Sequence, residues 1–251
     1  MLWKTLMAAT FLMPLVAGYN TAFAQAISVD VPKIVEAAMK NQYGNHYDTK
    51  HSCWEFSSKS EQGNVVAYCM RPSEPELVTT AVGAQVYFYA VNANDIDHVD
   101  KYLYAPNDPG LMGAFKIQID AKGDWTYVAF DNAMAYGTNG TCGCNKAKFV
   151  KLSNKGDYGW LFTSGGVWQG TVVADYSILV ARGDGFADIS SIPEITEAAQ
   201  DIKYEVKVSD GATGDAMFPL LVTKKKSGVE VDSFLVKYDS KKKVYALPKG
   251  K

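Results

Sequence analysis

Histidine is scarce in this chain: His46, His51 and His98 are the only three among 251 residues. None stands at zinc-finger spacing, and no acid–base arrangement can be read from their positions. Ser164-Gly165-Gly166 lacks the glycine two residues before the serine that a nucleophile elbow needs. Neither a phosphate loop nor a dinucleotide fingerprint occurs, so the sequence calls for no cofactor and no metal. An excess of one charge is also missing. The 25 basic and 27 acidic residues leave a net −2, which gives no electrostatic footprint for nucleic acid and no basic face for anionic lipid. Beyond residue 24 no apolar run reaches the length of a membrane span. Of the catalytic arrangements considered, only a carboxylate pair for glycan hydrolysis stays open, because such pairs meet in space rather than in sequence.

What is present begins with residues 1–24. Lys4 supplies a short positive region, Leu6 to Ala17 an apolar core too short to cross a bilayer, and Ala22-Phe23-Ala24 small residues where a signal peptidase reads. A secretory signal peptide cleaved before Gln25 is predicted. The competing reading, a buried N-terminal helix, is disfavoured by polar Tyr19-Asn20-Thr21 where the cleavage region belongs. The mature chain of residues 25–251 then carries 24 basic and 27 acidic residues, since Lys4 leaves with the signal. It is expected in the periplasm or outside the cell, free in solution. The first cysteine, Cys53, lies far from the cleavage site, so no lipid anchor is expected either.

Cys53, Cys69, Cys142 and Cys144 are an even set in an exported chain, which favours disulfides. Ser52-Cys53-Trp54-Glu55-Phe56 and Val65-Val66-Ala67-Tyr68-Cys69 both resemble strands, with a polar turn region at Ser57–Asn64. A Cys53–Cys69 bridge within one hairpin is predicted, worth about 3 kcal/mol in the chain-entropy model. Cys142-Gly143-Cys144 is then left to bond to itself or to be held close. A redox role for that pair is conceivable, but no helix signal follows to lower a thiolate pKa, and a loop staple is the favoured reading.

Most of the chain reads as strand and turn. Alternation is clear in Gln85–Val91, Phe115–Ile119 and Tyr204–Val208, and Pro219–Thr223 and Val229–Phe234 flank a turn at Ser227-Gly228. A first helix is signalled over Asp30–Lys40 by a capping aspartate and an early proline, with Gly44 as its stop. A second is signalled by the capping-box spacing of Ser191 and Glu194 ahead of Ile195–Ala199. The expected fold is mainly β, with α+β as its near neighbour. It comprises antiparallel sheets of sandwich type, a closing meander, two short helices and disulfide staples. The softest boundary lies near Arg182-Gly183, dividing a β-rich portion, residues 25–182, from a helix plus meander, residues 183–251, unless the two are continuous. Ile117–Trp125 and Val150–Tyr158 share a Lys-Gly-Asp turn at an offset of 33 residues, and Val236–Tyr245 is a looser copy. A propeller-like repeat is the minority reading; convergence on turn-tolerant residues is the favoured one.

Two further features bear on function. Asn92–Asp100 gathers oxygen ligands but lacks the glycine and distal glutamate of an EF-hand loop, so a turn is favoured over calcium. The chain holds 15 Tyr, 11 Phe and 5 Trp. Trp125, Trp160 and Trp168 are read as core, while Tyr102, Tyr104, Asn139 and Thr141, beside the constrained Cys142–Cys144 turn, are the candidate binding residues. The resulting expectation is a non-catalytic exported protein that binds a protein partner in the cell envelope, such as an inhibitor or immunity partner of an envelope hydrolase. The rival is a polysaccharide-binding module or hydrolase that uses aromatic residues and a carboxylate pair on a glycan.

Overall fold

Apolar residues alternate along most strands of this protein, and in the central ones both faces are buried. The structure, a computed structural model, describes residues 29–59, 63–81, 83–93, 101–209 and 217–251. The expected signal peptide and the Asn94–Asp100 part of the acidic stretch lie outside the described residues.

Helix α1 (Val31–Tyr43) forms where the capping signals stand: Asp30 Oδ1 accepts from the Lys33 amide at 3.2 Å, Pro32 occupies the first turn, and Gly44 closes the end at φ 84°. Its buried stripe of Ile34, Val35, Ala38, Met39 and Tyr43 lies on a seven-stranded sheet. That sheet contains β1 (Tyr47–Asp48), β2 (Cys53–Lys59), β3 (Val65–Pro72), β4 (Glu76–Thr80), β5 (Gly83–Asn92), β6 (Gly110–Ile119) and β7 (Trp125–Tyr136). Its order is β1-β2-β3-β5-β6-β7, with β4 pairing β5, and all pairings are antiparallel.

The second sheet is built from β8 (Lys148–Lys151), β9 (Tyr158–Trp168), β10 (Thr171–Arg182), β11 (Gly185–Asp188) and β12 (Ser190–Ile195). The meander β13 (Ile202–Val208), β14 (Leu220–Lys226) and β15 (Val229–Val236) forms a third sheet, and the chain returns to the second as β16 (Tyr245–Ala246), parallel to β12.

Strand alternation sorts these elements into four layers. In β5, Val86, Phe88 and Ala90 pack with α1, while Tyr87, Tyr89 and Val91 meet Trp160, Phe162 and Leu179 of the second sheet. In that sheet Leu161, Ile178 and Val180 point the other way, onto Tyr204, Val206, Leu220 and Val222 of the third. This last core joins residues from both sides of the Arg182-Gly183 position.

The predicted hairpin and its bridge are present: Cys53 opens β2, Cys69 stands opposite Glu55 in β3, and the two Cα atoms of the disulfide are 5.3 Å apart. The second predicted helix is not formed. Residues 190–195 are strand β12 instead, with Ile192 fully buried against the third sheet. The tertiary demand for an apolar side chain there outweighs a local capping pattern. Pro193, which lacks a ladder donor, lies past the end of the β16 pairing and beside a register shift in β10.

The recurring turn is convergence, not a blade. The side-chain oxygens of Asp120, Ser153 and Asp239 each accept from two following backbone amides, and Gly123, Gly156 and Lys243 take the left-handed conformation at φ 89°, 86° and 58°. The first turn joins β6 to β7 in one sheet and the second β8 to β9 in another, so the copies share local turn chemistry and no radial repeat.

Candidate functional site

The residues expected to bind fall into two neighbourhoods. Tyr104, Asn139 and Thr141 share one. The loop at 137–144 is knit to the segment before β6: the Asn139 amide donates to the Pro106 carbonyl at 3.3 Å and the Gly140 amide to that of Asp108 at 2.9 Å. Buried Asn92, at the end of β5, clamps both sides. Its Nδ2 donates to the Gly140 carbonyl at 2.8 Å, and its Oδ1 accepts from the Leu111 amide at 2.6 Å. The Tyr104 ring lies directly on Gly140, where a Cβ would come within 2.1 Å of the ring, and Tyr104 in turn stacks on Tyr68 at 5.3 Å. Glycine is required at 140 twice over, by this approach and by its φ of 66°.

Cys142 and Cys144 are disulfide-bonded to each other, with Cα atoms 5.1 Å apart, and both are buried against Met112, Trp160 and Phe162. A buried bridge of this kind staples a loop and offers no exposed sulfur for exchange. Asn139 and Thr141 remain exposed on the secured loop. Beside them opens a groove of about 650 Å³ lined by Lys59, Tyr68, Asn107, Pro109, Tyr136, Thr138 and Trp168. Trp160 is core as expected, but Trp168 is 49 % exposed at the end of β9. Alternation alone did not reveal that the strand runs past the edge of the interlayer core.

Tyr102 belongs elsewhere. Its hydroxyl donates to Asp48 Oδ2 at 2.9 Å, and its ring meets buried His51 edge-on at 5.2 Å. The same carboxylate accepts from the His51 amide at 3.1 Å, from His51 Nδ1 at 2.8 Å and from Lys101 Nζ at 3.2 Å, and Lys101 also pairs with Glu55. The His51 hydrogen bond is the main reason that the Asp48 carboxyl is held far below the usual range. Burial, then the Asp48 contact, pushes the Tyr102 phenol up to about 12. A carboxylate saturated with four donors is a fastener next to the Cys53–Cys69 bridge, not a general base.

One surface carries residues that were not singled out from sequence. Tyr47 and Trp54 meet edge-to-face at 4.7 Å across the β1–β2 pair, and Tyr47 is 46 % exposed. They wall a groove of about 770 Å³ closed by Pro32 and Val35 of α1 and by Pro72 and Pro75, with Glu36, Lys40, Asn45, Ser73 and Glu74 supplying polar atoms. The signal available in the sequence was Trp54 at a strand position adjoining a cysteine; nothing local indicated that a helix terminus and a proline turn would meet it.

Among the described residues no group of three or more His, Cys, Asp or Glu side chains converges as a metal site, and no helix is long and apolar enough to cross a membrane. No family model matches the chain, and no curated protein or solved structure aligns with it significantly.

Proposed function

We propose that this chain is an exported binding protein that acts by occupying a protein partner in the cell envelope, through the 137–144 loop and the groove beside it. The observation that carries the reading is the fixation of that loop: a disulfide, the Asn92 clamp and the Tyr104 packing hold it while Asn139, Thr141 and Trp168 stay exposed. A surface ordered before contact loses little conformational entropy on binding, and an exposed tryptophan beside polar contacts suits an interface anchor. Oxidised cysteines in a chain with a signal-like N-terminus support delivery to the periplasm or beyond. An inhibitor or immunity partner of an envelope hydrolase is the concrete form of this reading.

The test is to assay envelope hydrolases on peptidoglycan with and without the purified mature protein, and to repeat the mixture with Trp168→Ala and Thr141→Arg. Inhibition by the wild type that both variants lose, with their melting temperature unchanged, supports the reading. Turnover of peptidoglycan or another glycan by the protein alone, abolished by one Asp or Glu substitution, overturns it in favour of the hydrolase. A second reading, glycan binding, is favoured by the Tyr47–Trp54 groove, whose aromatic wall and flanking Glu36, Asn45 and Glu74 offer stacking and hydrogen bonds to a sugar. Retention on a polysaccharide column that Trp54→Ala abolishes distinguishes it.

A further inference from the structure

The seam where β7 meets β10 and β11 carries carboxylates and no cation. Strand alternation sets their direction. On β10, Asp175 and Ser177 share the face of Leu179 and stand opposite Ser164 and Phe162 of β9; on β11, Asp188 stands opposite Leu179. Asp131 of β7 pairs with Ala114 and reaches the same interlayer, where its Oδ2 accepts from the Phe186 amide at 2.6 Å. Asp188 Oδ1 accepts from the Ile178 and Ser190 amides, each at 3.0 Å. Among the described residues the second oxygen of both carboxylates is unengaged, and the Asp175 carboxylate accepts no hydrogen bond. Asp175 and Asp188 are exposed.

No positive charge answers them. Strands β7, β9, β11 and β12 contain no Lys, Arg or His, and β10 has only Arg182. Arg182 leaves by the opposite face, that of Val180, and pairs with Asp157 at 3.3 Å. Glu194 of β12 lies on the third-sheet side and has its own partner in Lys203 at 2.7 Å. Desolvation, and then the Asp188 charge, pushes the Asp175 carboxyl above its ordinary range. The Tyr136 phenol, edge-on to Phe162 at 5.1 Å, is raised by burial and then by the charges of Asp188 and Asp131. Ser177, between Asp175 and Leu179, is only 3 % exposed, and no hydrogen bond among the described residues engages its hydroxyl or that of Tyr136. A buried hydroxyl without a partner, beside carboxylates without a counter-ion, is completed by a cation rich in donors.

Resting on the partner-binding reading above, we propose that this seam receives an arginine side chain of the protein partner. Asp175 and Asp188 flank the guanidinium, Ser177 stands at its base and Tyr136 at its side. A planar fork of five N–H donors matches acceptors spread over facing strands better than the point charge of lysine does. The place also fits. Trp168 leaves β9 by the same face as Ser164 and Phe162, so the seam continues from the exposed tryptophan assigned above as an anchor.

Backbone chemical shifts of the mature chain, recorded during titration with N-acetylarginine amide at low ionic strength, test this on the isolated protein. Saturable shifts around Tyr136, Ser177 and Asp188 are expected, fading as salt approaches about 0.15 M, and the neutral isostere N-acetylcitrulline amide should cause none. Asp175→Asn/Asp188→Asn keeps an acceptor for the Ile178 and Ser190 amides and should weaken binding roughly tenfold. Asp175→Asn alone, at an exposed position without hydrogen bonds, should weaken it in part and gives the same reading if the double variant does not fold. Glu230→Gln, an exposed acid on β15, should bind as the wild type does. No saturable shift, an equal response to the citrulline probe, or unchanged binding by Asp175→Asn overturns the proposal. Calcium chloride saturating the same residues more tightly than the arginine probe overturns it too, in favour of a metal ion. A wild type that inhibits no hydrolase yet discriminates arginine from citrulline refutes the inhibitor reading and supports the seam; hydrolase inhibition without that discrimination refutes the seam alone.

Discussion

Asn92→Ala removes a side chain that holds the candidate loop from behind. The buried amide satisfies two backbone groups at once, the Gly140 carbonyl at 2.8 Å and the Leu111 amide at 2.6 Å. Alanine leaves both without that partner in a region closed by Tyr104 and the Cys142–Cys144 bridge. An unsatisfied buried backbone group costs about 1–3 kcal/mol, so the loss of two is expected to cost about 2–6 kcal/mol, less whatever water entry recovers. A central value of about 3 kcal/mol corresponds to a fall in melting temperature of about 6–12 °C for a domain of this size. Asn92→Asp separates the two bonds: it keeps an acceptor for Leu111 but sets an anionic oxygen against the Gly140 carbonyl. Urea denaturation with disulfides intact gives the stability, and amide exchange at residues 138–144 gives the loop's local opening. A loss below about 0.5 kcal/mol with unchanged exchange in the loop would refute the clamp and weaken the argument that the loop is ordered before binding.

Replacing Cys53 and Cys69 together by alanine should cost about 2–5 kcal/mol, and non-reducing peptide mapping should recover them as one pair and Cys142 with Cys144 as the other. Acid should unfold the protein partly through Asp48. Its carboxyl titrates lower in the folded chain than unfolded, so its contribution is complete above the unfolded value near about 3.9 and is lost as pH falls below it toward the folded value. Asp48→Asn should therefore flatten the fall in melting temperature below about pH 4, and an unchanged acid limb would show that the network contributes nothing there. Trp160→Ala, which empties the aromatic cluster of Tyr87, Tyr89, Phe149 and Phe186, should cost about 3–5 kcal/mol by urea titration, while Trp168→Ala should stay within about 0.5 kcal/mol. Equal costs would mean that the burial contrast between these two tryptophans has been misread.

Much of the fold is legible in the sequence because its signals are short-range. Asp30, Pro32 and Gly44 bound a helix through contacts within one turn of chain. Alternation at 85–91 or 204–208 needs only the two-residue period of a strand. The Cys53–Cys69 bridge follows from a hairpin whose strands are neighbours in sequence. Tertiary structure alone decided the rest. It made 190–195 a strand, because Ile192 is drawn into a core supplied by residues as distant in chain as Leu152 and Tyr245, and local capping is weak against such burial. It sent Tyr102 to Asp48, 54 residues away, and Tyr104 to Gly140, although the two tyrosines are two apart in the chain. It brought Trp54 to a helix end, and Lys116 to a turn of another sheet. A one-residue alternation shows that neighbouring side chains leave by opposite faces; which partner each face meets depends on how the layers stack, and no local period encodes that.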